Sequence, residues 1–334
     1  MKNSFLAVFS CVGAMVGAGF ASGREILVFF TQYGAASWWL IALSGTVIVW
    51  LCSLCMHTEH STGVWTSIFG KNRWWAMMVS VCLMTLTAGA MVSAAGHMVA
   101  LLWPSRISYE IGAVGTLLLS WGAGFGGARP VGWISAGLSI LLLGVLLFAW
   151  GQPVTPGVVM AATAVSGVVR GGGAAMAYAA MNVMLALGMI SRCTEKKWLV
   201  SFGTGGVLTV LMCVSNGLYL KHPELRTSSF PLVMLMRQFG RTAYELCIVL
   251  LYLSIFTTLS SVVYALRTAA SRTSGKSGWF LGLAMPLLVS SAGFTEIVDR
   301  LYAPAGWICL LTLFLPLQLI CRKQRGVDFC FPLQ

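Results

Sequence analysis

Residues 13–25 read Gly13-Ala14-Met15-Val16-Gly17-Ala18-Gly19-Phe20-Ala21-Ser22-Gly23-Arg24-Glu25, in the middle of an apolar run that extends from residue 4 to residue 33. Four glycines fall within eleven of these residues, and each weakens a helix by about 1 kcal/mol relative to alanine. Ser22 and Glu25 then stand three apart, the spacing of a capping box, in which the serine caps a new helix and the glutamate reaches back to the cap. The stretch therefore predicts a helix that stops, unwinds and restarts. At 1.5 Å per residue, 4–16 and 22–33 each cover roughly 20 Å, which sets the break near the middle of a bilayer whose hydrocarbon core is about 30 Å thick. Unwound backbone at that depth is tolerated only where it faces protein or a water-filled cavity. There, half-helix ends offer N–H groups to anions and carbonyls to cations. Gly13-x-x-x-Gly17 and Gly19-x-x-x-Gly23 also have the spacing of close-packing motifs between helices. Arg24 and Glu25 in the same run favour the broken helix, because intramembrane ionisable groups face the protein interior and mark gates or proton paths.

The rest of the chain supplies the membrane setting. Of 334 residues, 58% are hydrophobic and 9% charged, with a mean hydropathy of +0.85. A soluble domain carries about 25% charged residues, so too few are present here to cover a water-facing surface of this size. With a window of about 19 residues, apolar spans fall at 4–33, 36–56, 75–102, 107–126, 131–150, 172–190, 198–220, 242–266, 279–292 and 301–321. The chain thus predicts an all-α integral membrane protein with about ten transmembrane helices. The formal net charge of +12 would suggest nucleic acid in a soluble protein, but most Lys and Arg lie between spans, where topology accounts for them. Thirteen fall on the side of the N-terminus and seven on the other, which predicts both termini in the cytoplasm. Trp38, Trp39, Trp74, Trp75, Trp103, Trp150, Trp198 and Trp279 lie at span ends, as interface anchors do. The 221–241 segment is expected to hold a surface helix. Lys2 and the apolar run behind it resemble a short signal peptide, yet apolar character resumes immediately, and a retained first helix is expected.

Other signals are weaker. Cys11, Cys82, Cys213, Cys247 and Cys309 lie inside apolar runs as small hydrophobes, and nothing requires an oxidising compartment. Cys52, Cys55, His57 and His60 are metal-type residues in a tight cluster, but spread over about 200° of a helix they do not converge on one ion. His97 is a candidate proton carrier within the third span; a neutral packing histidine is the alternative. Gly122–Gly127 satisfies G-x-G-x-x-G without the strand–turn–helix setting that a nucleotide needs. No phosphate loop, zinc-protease motif or nucleophile–base pair is present in the sequence, and no enzyme is expected.

The stretch 12–25 resembles the start of the YkvI-like bacterial membrane proteins, a family related to the amino acid–polyamine–cation transporters that shares the LeuT-type fold. The resemblance implies two inverted five-helix repeats, here 1–150 and 151–334, with a broken first helix and a broken sixth. It also implies a sodium site in which carbonyls of Gly13 and Val16 meet the hydroxyls of Thr257 and Thr258 and the carbonyl of Ser254, an all-oxygen set suited to a hard cation. The same hydroxyls would otherwise bond back to their own helix. In the sixth span, Gly171-Gly172-Gly173 reads as a flexible start, and Tyr178 and Asn182 share one helix face. They would contact substrate across from Gly17, Ala18, Gly19 and Ser22, whose backbone groups would face its anionic part, or serve as interhelical hydrogen bonds. The expectation is a secondary active transporter of an amino acid or similar amphoteric solute, coupled to sodium or protons by alternating access in the plasma membrane. No organic cofactor is expected. The bilayer and the solute are the expected partners, nucleic acid is not, and homo-oligomer formation stays open. An uncoupled channel or permease and a non-transporting sensor or scaffold are the rival readings.

Overall fold

Each expected span corresponds to a helical segment in the protein's structure, a computed structural model that describes residues 4–16, 18–57, 68–123, 128–151, 165–190, 193, 196–273 and 277–324. In chain order the elements are α1 (Ser4–Met15), α2 (Ala18–Ser22), α3 (Arg24–Phe29), α4 (Ser37–His57), α5 (Arg73–Leu102), α6 (Ser108–Ala123) and α7 (Ala128–Trp150). After a stretch outside the described residues come α8 (Val165–Ile190), α9 (Lys197–Lys221), α10 (Pro231–Met236), α11 (Arg241–Thr273), α12 (Ser277–Ser290), α13 (Phe294–Glu296) and α14 (Tyr302–Gln324). The chain is an all-α membrane protein. Among the described residues, five stretches are long and apolar enough to cross a bilayer: Thr31–Met56, Arg73–Leu102, Val169–Ile190, Lys197–Lys221 and Arg241–Arg267. The shorter apolar helix Gly137–Trp150 joins them. A helix satisfies its own backbone polar groups, which is why lipid-facing Leu, Ile and Trp side chains are tolerated around this bundle.

The first span is broken, and in two places rather than one. α1 ends at Met15, and the Val16 amide still donates to the Val12 carbonyl at 2.7 Å. The helix resumes at Ala18, then turns at Gly23, whose φ of 90° is left-handed. That conformation costs a side-chain-bearing residue roughly 1–2 kcal/mol. A Cβ at Gly23 would also lie 1.9 Å from Tyr219 Oη on α9. The fragments pack against different partners: α1 against α7, α8 and α9, α2 against α5, α10 and α11, and α3 against α8, α9 and the π-helical turn Ile297–Leu301. The break lies where the set of neighbours changes. Behind it, Thr31 Oγ1 donates to Asn216 Oδ1 at 2.9 Å, and Asn216 Nδ2 donates to Ser37 Oγ at 2.8 Å. These bonds tie the end of the first span to α4 and α9.

The expected break in the sixth span is corrected: α8 runs unbroken through Gly171–Gly173. Two of these glycines are contact surfaces. A Cβ on Gly171 would meet Leu40 Cδ1 at 2.5 Å, and one on Gly173 would meet the Trp307 ring at 2.6 Å. The close approach of α4 and α14 explains the small residues, and helical backbone bonds outweigh the flexibility that three glycines suggest. The 221–241 segment does contain a helix, but Leu232, Val233, Leu235 and Met236 of α10 are buried. It packs into the bundle instead of lying on its surface. α7 ends at Trp150, and residues 152–164 lie outside the described residues.

Gly23 and Gly240 separate strain from collision, since both have positive φ but Gly240 has open space around its missing Cβ. Gly240→Ala should cost roughly 1–2 kcal/mol. Gly23→Ala should cost more, read as a larger drop in melting temperature of the detergent-purified protein. Equal drops would remove the Tyr219 contact from the account.

Candidate functional site

At the first interruption the α1 carbonyls lose their helical partners, and one finds a substitute on a distant helix. The Thr258 hydroxyl on α11 donates to the Val16 carbonyl at 3.3 Å across a buried contact. Thr257, its neighbour, donates back to the Ser254 carbonyl at 3.0 Å. Gly13 is buried one turn earlier on α1. Of the residues expected to hold a cation, the structure therefore joins Val16 to Thr258 and Thr257 to Ser254.

The second interruption rearranges the expected cap. Gly23 takes the N-cap position of α3 without a side-chain cap bond. Ser22 Oγ donates to the Gly19 carbonyl at 3.0 Å and accepts from the Arg24 amide at 3.3 Å. With the helix start shifted by one residue, Glu25 no longer occupies the position from which a capping-box glutamate reaches back. Its side chain turns inward. Glu25 is 4% exposed, its carboxyl packs on Gly19, and Tyr178 of α8 is its neighbour. The Tyr178 ring is fixed by Phe29 at 5.0 Å and Phe30 at 5.1 Å between centroids. Asn182 Nδ2 donates to the Tyr178 carbonyl at 3.0 Å. Gly19 and Tyr178 thus adjoin one buried carboxyl, while Ser22 and Asn182 bond to the backbone carbonyls of those two residues. Gly17 lies outside the described residues, and α2 begins at Ala18.

Arg24 points the other way. Its guanidinium forms a two-pronged ion pair with Asp299, with Nε to Oδ1 at 2.8 Å and Nη2 to Oδ2 closer still. Nη1 donates to the carbonyls of Arg226 at 2.7 Å and Ser228 at 3.0 Å. One side chain therefore fastens α3 to the segment before α10 and to the turn before α14. Charge-assisted, two-pronged bonds of this kind are the stronger class, and side-chain exposures of 13% and 29% keep this pair partly shielded from water.

Asp299 and Tyr302 escaped the sequence reading. Asp299 is one of nine acidic residues in the chain, and an acid at the start of an apolar span was a signal that it needed a partner. His97, by contrast, sits in aromatic packing: Nδ1 lies 2.9 Å from the Ser93 carbonyl, and the ring meets Tyr109 at 5.0 Å and Phe230 at 5.7 Å. Cys52 and Cys55 are buried, His60 lies outside the described residues, and no three His, Cys, Asp or Glu among the described residues are placed to hold a metal ion. The G-x-G-x-x-G string runs from the end of α6 into residues 124–127, which lie outside the described residues.

No family model and no curated protein matches the sequence. Among solved structures, the chain is similar to the manganese transporter of Eremococcus coleocola, determined in complex with an aromatic bis-isothiourea substituted compound. The TM-score is 0.60 at 13% identity, over 98% of this chain and 88% of that one. The chain thus shares the overall fold of that protein. At this identity the likeness is one of fold and carries no residue of the site across.

The Arg24–Asp299 contact sets a quantitative test. Arg24→Ala and Asp299→Ala should each lower stability by about 1–3 kcal/mol, because each leaves the other partner's polar groups unmatched. The double variant should lose less than the sum, with a coupling of about 0.5–3 kcal/mol in a double-mutant cycle. Additive losses in denaturation of the detergent-purified protein would show that the pair contributes nothing jointly.

Proposed function

We propose that the chain is a secondary active transporter that carries a small amphoteric solute past the broken first helix by alternating access. The observation that carries this reading is the break itself. Backbone groups released between α1 and α3 lie deep in the bundle, met by Thr258 on one side and sealed from the other by Arg24 on Asp299. Broken helices of this kind are where transporters hold substrate and coupling ion. The fold shared with the manganese transporter supports the reading, as does the resemblance of residues 12–25 to the YkvI-like proteins. With both termini in the cytoplasm and the chain in the plasma membrane, α3 lies on the outer side of the break. Arg24–Asp299 is then an outer gate that must part for the solute to enter.

Sodium would sit at the end of α1, where the Val16 carbonyl and Thr258 hydroxyl already meet, with Gly13, Ser254 and Thr257 supplying the remaining oxygens. These are hard, neutral ligands of the kind a monovalent cation accepts. A divalent metal as solute is less well served, because the break contributes one carboxylate, Glu25, among the described residues. Protons are the alternative coupling ion, with Glu25 as the ionisable group nearest the break.

Uptake of labelled amino acids and amines into proteoliposomes, under an inward sodium gradient or with potassium, tests the proposal; manganese belongs in the same panel. Sodium-driven uptake of an amphoteric solute is expected, together with a sodium-dependent rise in melting temperature. Thr258→Val should abolish the sodium response, and Thr257→Val should weaken it less, since the Thr257 hydroxyl bonds within its own helix. Flux that ignores both gradients would make the protein a channel, and absence of flux and of ligand response in folded protein would favour the sensor or scaffold.

A further inference from the structure

The buried region behind the break contains more acceptors than the transport reading has used. Glu25 has no Lys, Arg or His within ion-pair distance among the described residues, since its neighbour Arg24 is committed to Asp299. Its carboxyl cannot move toward α2: a Cβ built on Gly19 would lie 2.1 Å from Oε1, so the two are already in contact. Its electrostatic neighbours are Tyr178 of α8 and the buried Tyr302 of α14. Thr87 on α5 lies beside Tyr302, yet neither hydroxyl completes a hydrogen bond of normal geometry. Both residues are almost completely enclosed, at 3% and 2% exposure. Three elements beyond the broken helix therefore bring hydroxyl groups into the neighbourhood of Glu25, and two of those hydroxyls have no hydrogen-bond partner.

Buried hydroxyls without partners are rare enough to need an explanation, and one hydrogen bond does not offset the desolvation of a carboxylate. Both deficits are answered by one kind of group. A protonated amine has a positive charge and three N–H donors, and tyrosine rings flanking a carboxylate add a favourable face for a cation. We propose that Glu25, Tyr178, Tyr302 and Thr87 form a subsite for the protonated amine of the transported solute, an inference that rests on the transport reading. It also orients the solute. An acid group placed against Gly19 and Ser22 would lie beside the Glu25 carboxylate and be repelled, so the amine end, and not the acid end, faces α3.

The test uses n-butylammonium chloride, n-butanol and potassium butyrate as matched probes on the detergent-purified full chain at fixed ionic strength, read by melting temperature. Butylammonium alone should raise the melting temperature. Glu25→Gln should weaken its apparent affinity by about tenfold or more, and Tyr302→Phe, which keeps the ring, should weaken it less. The second variant serves if the first does not fold. A shift with butyrate or butanol but not with butylammonium overturns the subsite. So does an unchanged butylammonium response in Glu25→Gln, or in Tyr302→Phe where that variant has to serve. If Glu25→Gln abolishes proton-driven uptake while leaving the butylammonium response intact, Glu25 is a proton carrier and the amine assignment fails. The butylammonium readings on the unsubstituted protein involve no flux, so failure of the subsite is distinct from failure of transport.

Discussion

A helix that stops inside a membrane releases backbone carbonyls and amides where no water is available to receive them. The arrangement around residues 15–24 is a set of answers to that constraint. The Val16 carbonyl takes the Thr258 hydroxyl, the Gly19 carbonyl takes Ser22, and the left-handed turn at Gly23 shortens the gap so that its amide bonds to the Phe20 carbonyl at 2.9 Å. Each answer recruits a different part of the chain. α11 must stand next to α2, α9 must present Tyr219 against Gly23, and α8 must present Tyr178 to Glu25. The long continuous helices are the scaffold, and the broken one is what they are arranged around.

The side chains on either side of Gly23 divide the work of burial. Arg24 and Glu25 are adjacent in sequence and opposite in charge, yet they do not pair with one another. Arg24 turns to the end of the bundle, where Asp299 and two carbonyls match its fork. Glu25 turns to the interior among tyrosines, left without a cation. Had the two neutralised each other, neither the fastening at the end of the bundle nor the unpaired carboxyl behind the break would exist.

What could be read from sequence follows the range of the forces involved. Local signals were legible: the density of Gly13, Gly17, Gly19 and Gly23, the serine after them, and the apolar lengths of the spans. Long-range partners were not. Nothing in the neighbourhood of Arg24 points to Asp299, 275 residues away, and only the folded bundle distinguishes Thr258, which reaches Val16, from Thr257, which bonds back to Ser254. Gly171–Gly173 misled for a related reason. Three glycines look the same in sequence whether they loosen a helix or admit Leu40 and Trp307 against it. The Ser22–Glu25 spacing fitted a cap, but a single left-handed residue between them moved the helix start and freed Glu25.

The 275 residues between Arg24 and Asp299 also set an order of events during synthesis. At about 5–20 residues per second, a ribosome needs roughly 14–55 s to make the acid after it has made the base. Through that interval the first span is already emerging with an arginine that has neither its carboxylate nor the carbonyls of Arg226 and Ser228. The nascent half-helix α3 therefore has to wait, with its charge held at the membrane surface or sheltered by the insertion machinery. A segment made well before its partner is thus among the last to be locked in place.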